Sequence, residues 1–319
     1  MGVSVSDIVS AYGANYVNEG QNVQRLLKRM EQKPVTAGHA QSRIISDTVY
    51  RLGNAAMGRI VQPFQKGFTP LGDLTLTAKP IQLHNIKADV LIEPDDIVSS
   101  WAGFLADTGN SRKDWPLIRY VMEVFFAESL GRDLELNEYF KGVATAPTTG
   151  TPGAISTSMN GLKKTIDDGL SAGDINQILL SATPSTSNMR DIVEEFVDGI
   201  DEVYRTLPMK LFMSTQKKVD YFRDKRNLVG GNNNYDDTKV MTVDAFPNVE
   251  IVGLPSMAGS NYMFATPANN FFHIRRTTGF KAPDVQAFDR QVKILTDWWE
   301  ALGFGIDGLV WAYDTTNAA

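Results

Sequence analysis

Apolar and polar residues alternate along the stretch from residue 62 to residue 93, a pattern typical of β-strands. The apolar positions keep one parity up to Pro80, which is expected to break the ladder, and they change parity after it. At ~3.3 Å per residue, residues 73–92 would extend over roughly 65 Å, whereas a strand in a compact domain has ~5–6 residues. The pattern predicts a projecting hairpin whose apolar faces are buried by another chain. Two edge strands folded back locally are the alternative.

Two segments in the first half of the chain have helical periodicity. The stronger one covers residues 114–130, where Asp114 can cap the start, Pro116 fits the first turn and Gly131 supplies a stop. A smaller, locally basic amphipathic helix is predicted at residues 21–32, either packed as an ordinary helix or docked on a neighbouring subunit or nucleic acid. The apolar face of the stronger helix consists of Leu117, Ile118, Val121, Met122, Phe125 and Phe126.

Helical and extended patterns alternate over residues 155–275, which predicts a mixed α/β subdomain. A stretch rich in Gly, Pro, Ser and Thr at residues 142–161 marks a loop or domain boundary before it, and residues 230–237 form a polar loop tip within it. The predicted helices cover residues 159–172, 188–206 and 215–231. The predicted strands cover residues 209–214, 249–255 and 262–267.

The tract from residue 289 to residue 314 is predicted to be strand throughout, with apolar residues on both parities. It contains Gly303-Phe-Gly-Ile-Asp-Gly308, which matches the G-x-G-x-x-G pattern of dinucleotide-binding enzymes. That motif must open a helix, whose N-terminus binds the pyrophosphate, but the residues after Gly308 have a strand pattern. We therefore predict that these glycines bend a long β element or let another backbone approach closely.

Composition excludes several classes of protein. The chain has 319 residues, a formal net charge of −6 and no cysteine. The absence of cysteine excludes disulfides, thiolate catalysis and cysteine-ligated zinc. The negative charge argues against a general binder of nucleic acid or anionic membranes. No stretch approaches the ~18 apolar residues of a transmembrane helix, and we expect neither a signal peptide nor a membrane anchor.

Candidate chemical motifs are weak. Ser214-x-x-Lys217 matches one element of penicillin-recognising enzymes, but the chain has no Ser-Asp-Asn, and a serine between a strand and a helix is expected to be an N-cap. His39, His84 and His273 are far apart, and adjacent acidic residues such as those at 236–237 point in different directions. The sequence therefore predicts no catalytic, cofactor-binding or metal-binding residues and no enzyme.

The order of these elements resembles one family. An N-terminal arm with a short helix, a long extended hairpin, a long apolar helix, an α/β subdomain and a C-terminal β element are similar to the major capsid protein of tailed bacteriophages. That α+β fold is shared with encapsulin shells and the floor of herpesvirus capsids. The most specific resemblance lies in residues 249–276 joined to residues 289–314, which look like the last strands of the axial domain returning to a peripheral sheet.

The resemblance implies a division of the chain into regions. Residues 1–48 would be the N-arm, and residues 49–98 the extended loop, with its core at about 59–95. The remaining implied regions are a peripheral domain with a spine helix at 99–142 (the helix itself at about 114–140), an axial domain at 143–278 and a peripheral C-terminal β element at 279–319.

The resemblance also implies roles for individual residues. The inter-subunit loop would use Phe64, Phe68, Leu74, Leu76, Ile81, Leu83, Ile86 and Val90. The spine helix would use Ile118, Val121 and Phe125, and the loop at the capsomer centre would be Asn232, Asn233, Asn234 and Tyr235. The peripheral sheet would hold Trp298, Trp299, Phe304 and Trp311.

The implied function is that of a late structural protein of the virion. Hexamers and pentamers of the chain would assemble into an icosahedral shell around double-stranded DNA in the bacterial cytoplasm, with scaffolding, portal and decoration proteins as possible partners. Some family members crosslink a lysine covalently, but nothing nominates Lys66, Lys79 or Lys87 for this, so no crosslink is predicted. Two alternatives stay open: an encapsulin-like compartment shell, and an α/β enzyme with a site near Ser214 or His273.

Overall fold

The computed structural model describes residues 34–109, 117–229, 242–277, 284–288 and 291–313. The predicted basic helix at residues 21–32 lies outside the described residues, as do Asp114 and Pro116. The predicted loop tip at residues 230–237, including Asn232, Asn233, Asn234 and Tyr235, also lies outside them.

Internal contacts divide the chain into two units. Unit 1 comprises residues 1–34, 86–134 and 278–298, and unit 2 comprises residues 35–85, 135–277 and 299–319. Both are discontinuous in sequence, because the chain passes from one to the other several times. The regions predicted from the resemblance therefore map onto these units only in part.

Unit 1 is built on two helices. Helix α1 covers Pro94–Thr108 and ends at Gly109, which has the left-handed conformation (φ +67°) that favours glycine. Helix α2 (residues 117–138) packs on it through Tyr120, whose ring lies 4.8 Å from that of Phe104 and whose hydroxyl is 2.9 Å from Ser100 Oγ. Tyr120 is therefore buried with its polar atom satisfied, as a buried tyrosine requires.

Helix α2 is longer than its sequence pattern predicted. It runs without interruption through Leu117–Tyr120, Val121–Phe126, Ala127–Asp133 and Leu134–Glu138, and the second and fourth of these stretches have the wider π-helical turn. The predicted stop at Gly131 is wrong. A Cβ on Gly131 would lie 3.0 Å from the ring of Pro34, so this glycine provides close contact inside the helix instead of ending it.

Extended segments complete the described part of unit 1. Strand β4 covers His84–Ile92, beginning in unit 2, and strand β11 covers Asp284–Phe288. Both pair with strand β12, which covers Gln291–Phe304 and passes from unit 1 into unit 2. The pairing of β11 with β12 is antiparallel.

Unit 2 contains a six-stranded mixed sheet. Its order is β5-β13-β9-β6-β8-β7, so that β5 and β7 form the two edges. The helices that cover it are α3 (Leu162–Ala172), α4 (Met189–Asp198), the single turn α5 (Glu202–Arg205) and α6 (Thr215–Val229). The strands are β5 (Asn176–Gln177), β6 (Met209–Ser214), β7 (Thr242–Val243), β8 (Phe246–Leu254), β9 (Met263–Pro267) and β13 (Trp311–Tyr313).

The predicted strands and helices of this α/β part are confirmed, with one exception. The helix predicted at residues 188–206 is broken between Asp198 and Glu202, where Gly199 lies against Ile178. The core of this α/β part is a cluster of buried apolar residues that includes Phe196, Leu211, Tyr221, Ile251, Met263 and Trp311. None of the described helices is long and apolar enough to cross a lipid bilayer.

A hairpin precedes this part of unit 2. Strands β2 (Val49–Met57) and β3 (Leu74–Gln82) pair antiparallel along their whole length, and residues 58–73 connect them. The hairpin partner of β3 therefore lies before the stretch 62–93 from which the hairpin was predicted. Pro80 does not break the ladder, because it sits opposite Arg51 in a strand with one partner among the described residues, where a proline is tolerated.

Three strands support the base of the hairpin. Strand β1 (Gln41–Ile45) pairs parallel with β10 (Phe271–Arg276), and β10 pairs antiparallel with the second half of β12. Ile81 and Leu83 pack here against Phe272, Ile274 and Ala301. The base is thus anchored in its own chain by apolar contacts.

The prediction of one strand over residues 289–314 is wrong. Strand β12 ends at Phe304, the chain turns through Asp307–Leu309, and strand β13 then enters the six-stranded sheet beside β9. Trp311 is consequently buried in the core of that sheet and does not share a sheet with Trp298. The alternating pattern continued across the turn because both segments are buried.

The glycines of this tract differ in their surroundings, which permits a direct test. A Cβ on Gly305 would lie 2.9 Å from Phe272 Cε2, whereas a Cβ on Gly308 would meet nothing within 4 Å. We expect Gly305→Ala to lower the free energy of unfolding by about 1–3 kcal/mol, the usual effect of overpacking a core. Gly308→Ala is the matched control and should change it by less than about 0.5 kcal/mol. Urea denaturation followed by tryptophan fluorescence measures both, and equal stabilities would contradict the close approach at Gly305.

Candidate functional site: the exposed hairpin tip

The most unusual surface of the described chain is the outer part of the β2–β3 hairpin. Every residue from Met57 to Leu76 is exposed, a run of twenty residues. Phe64 and Phe68 are 93% and 94% exposed, which leaves both phenyl rings almost entirely in solvent. The exposed large apolar side chains of this tip are Met57, Ile60, Val61, Phe64, Phe68, Leu71, Leu74 and Leu76. A concentration of exposed large apolar side chains of this kind marks an interaction surface.

The tip has internal order although none of it is buried. At its neck, the Gly58 amide donates to the Asp73 carbonyl at 3.1 Å. Across the loop, Gln62 Nε2 donates to the Thr69 carbonyl at 2.7 Å. Gly72 has a positive φ of +95°, and its backbone lies so close to Ile60 that a side chain there would collide. These contacts present Phe64 and Phe68 on one formed loop.

The predicted inter-subunit loop divides into an exposed and a buried part. Phe64, Phe68, Leu74 and Leu76 are exposed, as is Val90 on strand β4. Ile81, Leu83 and Ile86 are buried within the chain itself, Leu83 to 1% exposure, so they leave little apolar area for a neighbour to cover. Ile81 and Leu83 are buried by their contacts with strands β10 and β12 at the base of the hairpin.

The side chains of the tip suit contact with another protein surface. Its charged residues are Arg59, Lys66 and Asp73, which give a weakly positive segment in a chain of net charge −6. It carries no histidine and one carboxylate, so it offers no pair of groups for acid–base or metal chemistry. What it can do is bury apolar area against another surface.

The residues predicted for the spine helix lie on α2. Val121 is buried, and Phe125 is half-buried, with its ring 5.5 Å from that of Tyr120. Ile118 belongs to the same helix, but its side chain lies outside the described part of the structure.

The four aromatic residues predicted for the peripheral sheet have separate surroundings. Trp298 is buried on β12 in unit 1, and Trp299 is half-buried, with the Arg276 guanidinium 5.7 Å from its ring. Phe304 packs against the rings of Phe264 and Phe271, each 5.8 Å away. Trp311 lies in the six-stranded sheet, as described above.

A buried carboxylate, which sequence reasoning missed, holds the segment that follows Pro34. Glu135 is fully buried on the last turns of α2, and it accepts the amides of Val35 at 2.9 Å and Thr36 at 3.0 Å. It also accepts the Thr36 hydroxyl at 2.7 Å. Because that hydroxyl gives its proton to the carboxylate, Ser256 Oγ, 2.7 Å away, donates to Thr36 Oγ1. No local signal marks Glu135, since its partners lie about 100 residues away in sequence.

A second buried polar cluster joins β10 and β12 to the end of α2. Glu300 Oε1 accepts the Tyr139 hydroxyl at 2.9 Å and contacts His273 Nε2. All three side chains are buried. Burial, together with the neighbouring Glu300 carboxylate, raises the pKa of Tyr139 well above its ordinary value. His273, suggested above as a possible enzyme residue, is thus engaged in a structural cluster.

The remaining candidate groups have structural roles or lie alone. Ser214 Oγ accepts the Lys217 amide at 3.2 Å at the start of α6, which confirms its predicted role as an N-cap. Burial lowers the pKa values of His39 and His84, and in His39 the nearby Lys210 lowers it further. Burial raises the pKa of Tyr221 to about 12. Within the described ranges, no three His, Asp or Glu side chains form a group that could hold a metal ion.

Comparison with known proteins finds similarity in structure and none in sequence. No family model matches the chain, and no curated protein matches it. Among solved structures, it is similar to a subunit of the satellite phage P4 procapsid that includes the size determination (Sid) protein, with a TM-score of 0.58, 12% identity and coverage of 91% of this chain and 93% of that one.

Two further solved structures are similar over nearly the whole chain. One is the capsid of the native GTA particle, with a TM-score of 0.55, 12% identity and coverage of 96% of this chain and 97% of that one. The other comes from Gordonia phage Cozz, with a TM-score of 0.55, 11% identity and coverage of 96% and 94%. At these identities the likeness concerns the fold. The chain therefore has the α+β fold of tailed-phage major capsid proteins, which confirms the fold predicted from the order of its elements.

Proposed function

We propose that this chain is a major capsid protein that assembles into the icosahedral shell of a tailed phage, around its double-stranded DNA. It acts by self-association and performs no catalysis. The observation that carries the proposal is the hairpin tip, in which every residue from Met57 to Leu76 is exposed and eight are large and apolar. The fold supports it, and the alternatives of a compartment shell and an enzyme are not favoured by the structural neighbours.

The energetics of the tip favour burial by another copy. Each large apolar side chain that is removed from water contributes about 1.5–3 kcal/mol. In addition, strands β2 and β3 pair only with each other among the described residues, and a two-stranded ribbon is marginally stable in water. Its unpaired outer edges can be completed by backbone hydrogen bonds from a neighbour. A shell supplies both kinds of contact to each copy through closed symmetry.

The finer assignments belong to the same proposal. Hexamers and pentamers would form the shell, with residues 232–235 near the capsomer centre and α2 as the spine helix of a peripheral domain. The shell would form in the host cytoplasm, where scaffolding, portal and decoration proteins could join it. The domain boundaries at residues 48, 98, 142 and 278 stay predictions.

The test is to purify the chain alone and to examine it by size-exclusion chromatography and negative-stain electron microscopy. We expect closed particles, or rings that close when the concentration is raised. A monodisperse species of about 35 kDa at every concentration would overturn the proposal, since the computed mass of one chain is 35.2 kDa.

Trypsin provides a second readout on the same sample. Arg59 and Lys66 lie in the exposed tip, so the free subunit should be cleaved there and the assembled one protected. Lys141 is an exposed control outside the hairpin. Equal cleavage of the tip in free and assembled chains would show that no neighbour covers it.

A further inference from the structure

Two separate surfaces of unit 2, one beside edge strand β5 and the other on helix α6, complement each other in charge. Both lie within one unit, and neither belongs to the hairpin. From them we infer how neighbouring copies meet side by side, an inference that rests on the proposed function because its partner is a second copy of this chain.

The first surface, the acidic face, lies near edge strand β5. Ile178, directly after β5, donates its amide to the Ala312 carbonyl at 2.9 Å and packs against Gly199 at the end of α4. The Tyr204 ring of α5 lies 5.4 Å from the Trp311 ring of β13. The end of α4 and the turn α5 are thereby held over the β5–β13 end of the sheet.

The acidic face combines exposed carboxylates with exposed apolar side chains. Its one arginine, Arg205, donates Nε to the Ile200 carbonyl at 2.6 Å, and its Nη1 pairs with Asp198 Oδ1 at 3.5 Å. Asp201 and Glu202 therefore carry the excess negative charge of the face. The apolar side chains are two of the most exposed in the described chain outside the hairpin, Val203 at 77% and Leu179 at 71%. The exposed carboxylates are Asp198, Asp201 and Glu202.

The second surface, the basic face, lies on the outer side of helix α6. Helix α6 covers strands β6 and β8, with Gly253 of β8 against Thr215. Lys225 Nζ contacts Asp244 Oδ1 at 2.6 Å, which fixes the helix beside the turn between β7 and β8. The outer side of α6 exposes Val219, Arg223 and Arg226, spaced four and three residues apart on one helix face.

We propose that the acidic face of one copy contacts the basic face of the next. In this contact each copy uses its two different faces toward two different neighbours, which makes the contact heterologous and lets it repeat around a ring. Opposite charges at the rim of such a contact set its register, and the exposed residues Leu179, Val203 and Val219 supply apolar area to it. The occupant of each face is thus the other face of a second copy.

The absence of cysteine allows a direct test by cross-linking. Val203→Cys and Val219→Cys variants are prepared separately, one with a tag that changes its size, then mixed at assembly concentration and treated with a short bis-maleimide linker. A heterologous contact brings unlike positions together, so we expect the heterodimer to exceed either homodimer by about tenfold. Homodimers in equal amount, or no linked species, overturn the inference.

Charge reversal then tests the recognition itself. Asp201→Lys with Glu202→Lys on the Val203→Cys chain should abolish the heterodimer. Arg223→Glu with Arg226→Glu on the Val219→Cys partner should restore it. Loss without restoration overturns the role of charge, provided that circular dichroism shows folded variants.

The outcome is separable from that of the proposed function. Closed particles of the unmodified chain without the 203–219 heterodimer contradict the inference alone. A heterodimer formed without closed particles upholds the inference and contradicts the shell.

Discussion

The double substitution Phe64→Ser with Phe68→Ser should abolish closed particles at concentrations where the unmodified chain assembles. Both rings are more than nine-tenths exposed in the single chain, so their removal costs the fold almost nothing. In the shell each ring would be buried, and each loss removes about 1.5–3 kcal/mol from the contact. The two together weaken association roughly 10²- to 10⁴-fold, since about 1.4 kcal/mol corresponds to a factor of ten. Light scattering against concentration measures the threshold for assembly.

A matched control keeps this result specific. Ile155 lies on the loop at residues 142–161 and is 77% exposed, so Ile155→Ser removes an exposed apolar side chain outside the hairpin. We expect it to assemble like the unmodified chain, and both variants should unfold at the urea concentration of the parent. Normal particles from the phenylalanine variant would remove the tip from the interface.

Glu135→Ala should cause the largest loss of stability of any change considered. The carboxylate is the acceptor for the Val35 and Thr36 amides and for the Thr36 hydroxyl, all inside the protein. Each donor that loses its acceptor costs about 1–3 kcal/mol, so the three together should lower the free energy of unfolding by roughly 3–9 kcal/mol. Urea denaturation measures it.

Glu250→Ala is the control, because Glu250 is an exposed carboxylate on strand β8. Surface changes of this kind usually stay within about 0.5 kcal/mol. Thr36→Val should lie between the two, since it removes one donor to Glu135 and the acceptor of Ser256 Oγ but leaves both amides bonded. If Glu135→Ala were as stable as Glu250→Ala, the hydrogen bonds that hold residues 35 and 36 would be contributing nothing.

Hydrophobic periodicity predicted the strands that are short apolar runs and the helices that bury one regular face. Strands β6, β8 and β9 are short apolar runs between turn residues, and α3 and α6 have one apolar face each. Periodicity failed where a contact with a residue distant in sequence decides whether a helix continues or ends. Gly131 continues a helix because Pro34 packs on it, which no window of neighbouring residues reveals. Strand β2 (Val49–Met57) lacks a clear period and was not predicted. Helix α1 (Pro94–Thr108) was missed although Trp101, Phe104 and Leu105 recur at helical spacing.

The sequence predicted a projecting hairpin, but it did not predict which apolar residues of the hairpin are exposed. The unusual length of the extended segment pointed to the hairpin, but alternation of apolar residues cannot tell an outer face covered by a neighbour from an inner face covered by β10 and β12. Leu76 and Leu83 are both leucines in β-pattern, yet one is 71% exposed and the other 1%. The hydrogen-bonded clusters around Glu135 and Glu300 were not predicted, because their partners are distant in sequence and come together only when the chain folds.

The hydrogen bond from Gln62 to Thr69 has a thermodynamic consequence for assembly. A loop that is already folded before it docks surrenders little conformational entropy, so more of its apolar contact energy is left for association. Calorimetry of assembly should therefore record a negative heat-capacity change proportional to the area covered, without the larger excess that accompanies folding on contact. The subunit would dock through a preformed loop, and folding of that loop would not limit the rate at which the shell grows.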